Sequence, residues 1–401
     1  MGTVLGIIAA AFLALWALPF ISVSAQGLRS GSISGTCANV AVSYGTPFKY
    51  NNGYPTKYID SDVWVNTWAD DGSIYAVSDD SLGWQGASSS NFQVSQLSGF
   101  TNSLTGSNIN VMASWGTEVQ NGPDGSDYKA TGLISVGGVL YLTTTRQINP
   151  VPFPFITTEA NAQIIKSTNH GSSWTPTPPS TAAPYTSPMF SGSTNPNPSF
   201  IQYGQDYQSQ TADNSSTYVY ATSNDGSWNN GNALYLGRVS IANLPNLNGS
   251  DWSYWQGGDG MINANWGAWP TAAPLIQSSK KVGALTQMQY FPRLGRMGCY
   301  VYTNWFYPSV AAGSMSWDTT TTEWDSYIGE HPWGPWVLLG TKMWNSEPGV
   351  GLYSPNIMPK SVSQSGNVAT AAIATAGNFN SQDPQTGDYT LTLVGLTLIQ
   401  N

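Results

Sequence analysis

Short apolar runs separated by turn residues recur along this chain, whereas long patterns with the period of an amphipathic helix are absent. The clearest case is the run VWVNTW (63–68), followed by the turn sequence ADDG (69–72) and the short return run SIYAV (73–77). Asp-Gly between two such runs is a strong signal for a β-hairpin. The pattern therefore predicts two antiparallel strands joined by a tight turn.

Similar strand pairs follow downstream, each with an extended run placed before a strand that carries a marker residue. Successive markers are 66 to 82 residues apart, and they are Tyr75, Tyr141, Tyr218, Tyr300 and Val368. Five units of about four strands each predict an all-β fold, a five-bladed β-propeller. A β-sandwich is the alternative for a chain with many short strands, but it does not repeat at this period.

Two aspartates flank the first hairpin. A hairpin brings the start of its first strand beside the end of its second, so Asp62 and Asp80 are predicted to lie at the same end of one sheet. Paired carboxylates are what acid/base chemistry on a glycosidic bond requires, and we predict these two as catalytic residues. The alternative is that Asp is simply favoured at strand ends. Alternation along the strand predicts that Asp79 points away from the face of Asp80.

The repeat extends this prediction to the other blades. Positions equivalent to Asp80 are Arg146 in the second unit and Asp225 in the third, while Lys129 and Gln287 lie near the starts of innermost strands. All of them are expected at one mouth of the central channel, as substrate-binding residues. Arg146 would hold a nearby carboxylate ionised. Its alternative role is a salt bridge between blades.

The N-terminal segment is expected to be removed. Residues 4–23 form an apolar run, and the small-residue sequence VSA (23–25) resembles a cleavage site. We predict a signal peptide over residues 1–25 and a single propeller domain over residues 26–401. A retained membrane anchor is the alternative, since the run is nearly long enough to span a bilayer. The mature protein is expected to be secreted, extracellular and monomeric, without membrane association.

Composition narrows the classes of partner. Only 9% of residues are charged, against about 25% in an ordinary domain. The net charge of −9 and the pI near 4.5 argue against binding to nucleic acid or anionic membranes. No cluster of metal ligands, phosphate loop or serine-nucleophile elbow is recognisable, so neither a metal nor a cofactor is expected. Cys37 and Cys299 would pair in an oxidising compartment, although the sequence leaves open whether they do.

Tryptophan is abundant in the connections between the later blades. Indole rings stack on the C–H faces of sugars, and a groove with few charges suits a neutral polysaccharide. The alternative is that these rings pack between blades, and we expect this for more than half of them. The residues concerned are Trp252, Trp255, Trp266, Trp269, Trp324, Trp333, Trp336 and Trp344.

The segment STNHGSSW (167–174) matches the S-x-D-x-G-x-x-W turn known as the Asp box, with Asn in place of Asp. In this motif the polar side chain caps a hairpin turn and the Trp packs on the blade. His170 is therefore expected to be an exposed turn residue and not a catalyst. SNDGSW (223–228) is a looser copy. The motif supports the propeller and says little about chemistry.

Four segments in one order carry a family resemblance: the hairpin with its aspartates (62–80), ATGLISVGGVLYL (130–142), KSTNHGSSWT (166–175) and HPWGPW (331–336). Together they resemble the secreted five-bladed propellers first grouped as domain of unknown function 4185, over roughly residues 45–398. That group includes endo-acting D-arabinanases. The resemblance implies that Asp62 and Asp80 match the two catalytic aspartates. Where the family commonly has Phe-Gly-Asp-Thr, this chain has SDDS (78–81), which places an additional acid beside Asp80.

Two functions from different classes follow. The first is a glycoside hydrolase that cuts within a furanose-rich, arabinan-like polysaccharide through paired aspartates. The second is a non-catalytic, lectin-like propeller whose acids only hydrogen-bond sugar hydroxyls. A sialidase is a third and weaker possibility, because it needs an arginine cluster for the substrate carboxylate. The few arginines of this chain show no such arrangement.

Overall fold

The structure of the chain is a computed structural model. It describes residues 37, 39–50, 61–81, 83–84, 90–99, 103–117, 120–148, 157–208, 213, 215–295, 298–313, 320–345, 351–377 and 390–401. The expected signal peptide, residues 1–25, lies outside the described residues.

The described residues are almost entirely strands and the turns between them. The strands are β1 (Val40–Tyr44), β2 (Phe48–Lys49), β3 (Asp62–Trp68), β4 (Ile74–Ser81), β5 (Ser90–Ser98), β6 (Thr105–Asn110), β7 (Asp127–Val136), β8 (Val139–Ile148), β9 (Thr158–Ser167), β10 (Ser199–Gln202), β11 (Tyr218–Asn224), β12 (Gly231–Ser240), β13 (Ser253–Trp255), β14 (Trp266–Gly267), β15 (Ile276–Val282), β16 (Met288–Phe291), β17 (Cys299–Phe306), β18 (Thr322–Gly329), β19 (Trp336–Trp344), β20 (Tyr353–Ile357), β21 (Ser363–Ser365), β22 (Val368–Ala376) and β23 (Leu391–Gln400).

Helical structure is limited to single turns. Within the described ranges, none of these segments has the length and hydrophobicity needed to cross a lipid bilayer. They are the α-helix α1 (Pro308–Ala311) and the 3-10 turns Ala113–Trp115, Gln205–Tyr207, Leu244–Asn246, Gly249–Asp251, Asn263–Asn265, Trp269–Thr271 and Pro359–Ser361.

The strands form five antiparallel blades, which confirms the predicted five-bladed propeller. Blade one has the order β3-β4-β5-β6, blade two β7-β8-β9, and blade three β10-β11-β12-β13-β14 with β15 also on β12. Blade four is β16-β17-β18-β19, and blade five is β20-β22-β23-β1 with β2 and β21 attached. Each marker residue lies in the second strand of its blade. The innermost strand of blade five begins at Tyr353.

The first strand of the chain closes the ring. β1 is the outermost strand of blade five and pairs antiparallel with the last strand, from Val40 opposite Gln400 to Tyr44 opposite Leu396. Cys37, just before β1, forms a disulfide with Cys299, the first residue of β17 in blade four. The closing strand is therefore joined covalently to the neighbouring blade.

Side-chain amides join the innermost strands around the central channel. The Gln287 amide donates from Nε2 to the carbonyl oxygens of Asn66 and Leu133, each at 3.1 Å. Its backbone N–H donates to Asn356 Oδ1 at 2.9 Å, so one residue joins blades one, two and five to blade four. Gln202 of blade three makes the same kind of bond to Leu133 O at 2.7 Å. These bonds occupy backbone groups that face the channel, where a ladder partner is missing.

Most of the tryptophans singled out in the sequence belong to the apolar core. Seven of those eight are buried and one, Trp269, is partly buried, which agrees with the expectation that more than half of them serve packing. The sugar-stacking surface expected from them is not found at those seven positions. The buried residues are Trp252, Trp255, Trp266, Trp324, Trp333, Trp336 and Trp344.

The Asp-box turn has the geometry that its sequence predicts. Asn169 Oδ1 accepts from the backbone N–H of Ser173 at 2.9 Å, and Ser167 Oγ accepts from that of Gly171 at 2.8 Å. Trp174 is buried and donates from Nε1 to Gly171 O at 2.9 Å. His170 lies at the tip of the turn with a left-handed φ of 53° and a partly exposed side chain.

We predict that the disulfide stabilises the closed ring. A cross-link across 262 residues restricts the unfolded chain strongly, and replacing both cysteines (Cys37→Ser with Cys299→Ser) should lower the free energy of unfolding by about 2–4 kcal/mol. Equilibrium urea unfolding of the wild type and the double variant tests this. Equal midpoints and slopes would show that hydrogen bonding between β1 and β23 is sufficient by itself.

Candidate active site

The candidate site lies where the innermost strands begin and the second strands end, here called the channel mouth. Asp62 is the first residue of β3 and lies opposite Asp79 of β4. The ladder is irregular between residues 62 and 64, and Val63 has a left-handed φ of 41°. Asp80 has the same φ of 41°. Left-handed backbone is rare for a β-branched residue, and such strain is concentrated at functional sites.

Asp79 and Asp80 both contact the first strand of blade two. The Asp79 carboxylate accepts the backbone N–H of Ala130 at 3.0 and 3.2 Å, and Asp80 Oδ2 forms an ion pair with Lys129 Nζ at 2.5 Å. The expectation that Asp79 points away from Asp80 is therefore wrong. Alternation of side chains holds for regular strands, and the left-handed φ of Asp80 interrupts it.

Lys129 is the electrostatic centre of the mouth. Its side chain is only 7% exposed, yet the negative charges of Asp80, Asp62 and Asp79 outweigh the effect of burial and raise its pKa well above the usual value. The ammonium group therefore stays charged across the physiological pH range. Asp127, two residues earlier on the same strand, also interacts electrostatically with this lysine.

Several acids at the mouth hold a proton more tightly than a solvated carboxyl. Burial, reinforced by the charges of Asp62 and Asp80, raises the pKa of Asp79 well above its usual value despite the opposing effect of Lys129. Burial likewise raises the pKa of Asp127 to about 6, and that of Glu159 to about 8. Asp79, Asp127 and Glu159 therefore do not all ionise together around the one charge of Lys129, and the mouth retains a proton at neutral pH.

Asp62, the other candidate for a catalytic residue, is contacted by the aromatic residue Tyr353. The Tyr353 hydroxyl donates to Asp62 Oδ2 at 2.7 Å. The Tyr353 ring packs against Trp228 and Trp305, with ring centroids 5.5 Å away in each case. Tyr353 was not recognisable as a site residue from the sequence, because its role comes from contacts with other blades. Trp228 could have been singled out from the sequence, because it is the last residue of the looser turn motif (223–228).

Arg146 occupies the place that the repeat predicts, the end of the second strand of blade two. Its side chain is buried, and its guanidinium forms an ion pair with Asp124 and donates to Ala182 O at 3.0 Å and Ser126 O at 2.9 Å. It also lies over the Tyr128 ring, 4.3 Å from the centroid. These contacts form a structural salt bridge, here within blade two and its loops. A role in substrate binding stays a prediction that this burial does not favour.

Lys129 lies at the mouth, whereas Gln287 and Asp225 are placed differently from the two aspartates. Gln287 is buried among the inner strands, where its amide binds backbone groups of neighbouring blades. Asp225 is exposed directly after β11, and its carboxylate accepts the Asn232 backbone N–H at 3.0 and 3.1 Å. Substrate contacts by these three residues stay predictions.

A further group of polar side chains lies at the opposite end of the first hairpin. Asp70, Asp71 and His170 place one ligand atom each within 4.8 Å of one another, as a metal site would require. His170 Nε2 is 2.9 Å from Asp70 Oδ1, and the His170 ring stacks on Tyr75. The group is largely exposed and far along the hairpin from Asp62.

Comparison with known proteins gives similarity in structure only. No protein-family model matches the chain, and no curated protein matches its sequence. Among solved structures, a Bacteroides ovatus protein named as a candidate hydrolase aligns with a TM-score of 0.51 and 13% identity, over 86% of this chain and 87% of that one. At this identity the similarity shows the shared propeller fold alone.

Glycoside hydrolases also appear among the structural neighbours. A Bombyx mori GH32 β-fructofuranosidase aligns with a TM-score of 0.45 and 12% identity, over 86% of this chain and 62% of that one. A GH43 β-xylosidase/α-arabinofuranosidase from a compost microbial metagenome aligns with a TM-score of 0.44 and 11% identity, over 88% of this chain and 94% of that one. Both TM-scores are below 0.5, so no residue role is transferred from these enzymes.

We predict that Lys129→Met destabilises the protein in a pH-dependent way. Removing one partner of a buried ion pair typically costs about 3–5 kcal/mol, because the other charge stays buried without compensation. The loss should be greatest at pH 8 and smaller at pH 5, where the remaining carboxyls take up protons. Urea unfolding at both pH values measures it. Lys280→Met is the matched control, since that lysine is 43% exposed beside Glu323 and should cost at most about 1 kcal/mol.

For Asp79→Asn we predict a change of stability with pH that is opposite to that of Lys129→Met. The pKa of Asp79 is raised in the folded state, so above about pH 4 the folded protein keeps a proton that the unfolded chain releases. Wild-type stability therefore falls as pH rises, by up to about 1.4 kcal/mol per pH unit from this group, and the asparagine variant lacks this loss. Its stability relative to wild type should increase from pH 5 to pH 8. A difference that does not change with pH would contradict the protonated state of Asp79.

Proposed function

We propose that this protein is a secreted glycoside hydrolase that cuts within a furanose-rich, arabinan-like polysaccharide through Asp62 and Asp80. The observation that carries the proposal is the cluster of three carboxyls, Asp62, Asp79 and Asp80, around the single buried Lys129 at the channel mouth. Such a cluster contains both a carboxylate and a retained proton, and glycosidic cleavage needs one of each.

The surroundings suit the two residues to these roles. Asp80 is 27% exposed at the mouth and forms an ion pair with Lys129, so its carboxyl group can contact a sugar or a water molecule there. Asp62 is the proposed partner of Asp80, and the Tyr353 hydroxyl fixes its orientation. In the reaction one of the two residues passes a proton to the glycosidic oxygen as the bond to the leaving sugar breaks, and the other acts as base or nucleophile. Asp79 stays protonated beside them and limits the negative charge of the cluster.

Two further observations support this class of substrate. The order of the motifs resembles that of the endo-D-arabinanase group, and the Bacteroides ovatus structure with the same fold is named as a candidate hydrolase. The mouth also combines carboxyls with an aromatic group formed by Trp228, Trp305 and Tyr353. A sugar without charge avoids repulsion from an acidic mouth.

We predict that Asp80→Asn abolishes cleavage while the fold and polysaccharide binding persist, because Asp62 and Asp79 still compensate the charge of Lys129. Asparagine keeps the shape of the side chain but loses its charge and its ability to transfer a proton, so the rate should fall by at least about 10²–10⁴-fold. The measurement is the release of new reducing ends from arabinan, arabinogalactan and other neutral polysaccharides. Asp70→Asn, on the turn at the opposite end of the same hairpin, is the matched control and should keep wild-type activity.

The same panel separates the enzyme from the lectin-like alternative. Binding of wild-type protein to a polysaccharide, without new reducing ends from any member of the panel, would favour a non-catalytic propeller. Equal loss of activity in Asp80→Asn and Asp70→Asn would place the catalytic residues elsewhere. If Asp62→Asn is inactive towards ordinary polymers but cleaves substrates with good leaving groups, Asp62 is the proton donor, because such groups need no protonation.

A further inference from the structure

A turn in blade three carries a tripeptide that the proposed chemistry does not use. The sequence Asn248-Gly249-Ser250 fits N-x-S/T, the pattern at which an asparagine side chain of a secreted protein receives an oligosaccharide. We call residues 248–250 the sequon turn. Such short patterns also occur by chance, so the pattern becomes informative only if the folded turn presents the reacting groups to solvent.

The sequon turn lies at the end of blade three that is opposite to the channel mouth. β11 ends at the mouth, so its antiparallel neighbour β12 runs away from the mouth and ends at Ser240, opposite Tyr218. The chain then passes through residues 241–252 and returns along β13. A group attached to this turn would therefore leave the mouth, with its proposed catalytic aspartates, open.

Buried residues on both sides hold the sequon turn against the blade. Leu244 before the turn and Trp252 after it are buried, and the Trp252 ring meets the Phe190 ring edge-on, with ring centroids 5.7 Å apart. Asn248 and Ser250, in contrast, are exposed. The two residues that the pattern requires are therefore accessible on a turn whose ends are fixed by packing.

Gly249, the middle residue, packs its backbone closely on the neighbouring chain. A Cβ atom added at this position would lie 2.1 Å from the carbonyl oxygen of Met189, a backbone atom that cannot move aside without shifting its segment. The N-x-S/T pattern itself accepts any residue except proline in the middle. The close approach to residue 189 therefore explains the glycine, and it fixes the backbone between the two exposed side chains.

The Asn248 amide is oriented with its nitrogen free. Its Oδ1 accepts the backbone N–H of Ser250 at 3.2 Å. A backbone N–H can only donate, so this bond assigns the amide oxygen to that side and the NH₂ group to the other. Among the described residues, neither Nδ2 of Asn248 nor Oγ of Ser250 has a hydrogen-bond partner. The nitrogen that would be modified and the hydroxyl that the pattern requires are thus both available.

We propose that Asn248 is the attachment site of an N-linked oligosaccharide. The donor is a lipid-linked oligosaccharide diphosphate, and a membrane-bound glycosyltransferase catalyses the transfer. A bond forms between Asn248 Nδ2 and the anomeric carbon of the donor sugar, while the bond from that carbon to the diphosphate oxygen breaks. The lipid diphosphate leaves with the bonding electrons, and the amide nitrogen loses one proton.

The inference rests on the secretion that is part of the proposed function, because this transfer takes place in the secretory pathway. The Cys37–Cys299 disulfide is consistent with that route, since disulfides persist in oxidising compartments. The inference does not rest on glycoside hydrolase activity, because the sequon turn lies away from the channel mouth. A second N-x-S/T sequence starts at Asn214, which lies outside the described residues, so the experiment has to separate the two positions.

The first experiment expresses the full chain, with its own N-terminal segment, in a secreting eukaryotic cell. Protein from the medium is treated with an amidase that removes N-linked oligosaccharides and leaves aspartate, and peptide mass spectrometry locates the converted residue. We expect conversion at Asn248. Secreted protein with an unmodified Asn248 overturns this inference and leaves the proposed function intact. Protein that is retained inside the cell, with Cys37 and Cys299 as free thiols, overturns both the inference and the proposed secretion.

The second experiment tests recognition of the sequon turn. Ser250→Ala removes the required hydroxyl but keeps Asn248 and the backbone N–H that donates to it, so the oligosaccharide at residue 248 should be lost. Ser250→Thr restores a hydroxyl and should keep the oligosaccharide. An oligosaccharide that persists on Asn248 in Ser250→Ala overturns the proposal. Asn248→Gln removes the acceptor itself and provides the same test if Ser250→Ala is not secreted.

An asparagine in the same connection provides the matched control. Asn246 is also exposed, but it is followed by Leu247 and Asn248 and therefore does not fit the pattern. Asn246→Gln should keep the oligosaccharide on Asn248 at the wild-type level. Loss of the oligosaccharide in this variant as well would assign the modification to the general conformation of the connection and overturn recognition through the sequon turn.

Discussion

The innermost strands of blades one, two and five have no ladder partner on their inner edge among the described residues, whereas those of blades three and four form a short parallel ladder with each other. The rest of the structure depends on how the unpaired edges are hydrogen-bonded. An unpaired backbone group in a dry channel would be unfavourable by a large fraction of the stability of the protein. Here Gln287 and Gln202 supply side-chain amides to backbone groups across the channel. These bonds fix the relative heights of the inner strands. They thereby determine that Asp62, Lys129 and Tyr353 start at the same mouth.

The same registration makes the buried charge of Lys129 possible. A lysine enclosed in protein normally loses its proton, and only close carboxylates reverse that tendency. Asp80 is brought to it by the left-handed backbone of blade one, while Asp79 is held on the backbone of Ala130. Blades one and two are thus joined at consecutive residues of β7, by the charged contact of Asp80 with Lys129 and the neutral contact of Asp79 with Ala130. The contact between these blades and the proposed chemistry depend on the same atoms.

The fold was predictable because its signals are local and repeated, as with the turn sequence ADDG (69–72) and the Asp-box turn (167–174). The end of the first hairpin was predictable only in part. Strand alternation predicted that Asp79 points away from Asp80, because the rule assumes a regular strand and Asp80 has a left-handed φ. Tyr353 and Glu159 carried no sequence signal, because their importance comes from contacts with other blades. The Cys37–Cys299 bond could be proposed from cysteine count, but whether it forms depends on how the ring closes.

The buried polar residues differ in their effect on stability: some supply hydrogen bonds that the fold needs, whereas the buried acids lower stability. The amides of the channel each replace a missing backbone partner, whereas a neutral residue in place of Asp79 or Glu159 would remove a pKa shift that opposes folding above about pH 4. A propeller selected for stability alone would place neutral residues at both positions. Both acids lie within the electrostatic reach of Lys129 on the first strand of blade two. The residues that lower stability are therefore concentrated at one mouth, where left-handed backbone is also found at Val63 and Asp80. Proteins keep such unfavourable features mainly at sites of binding or catalysis.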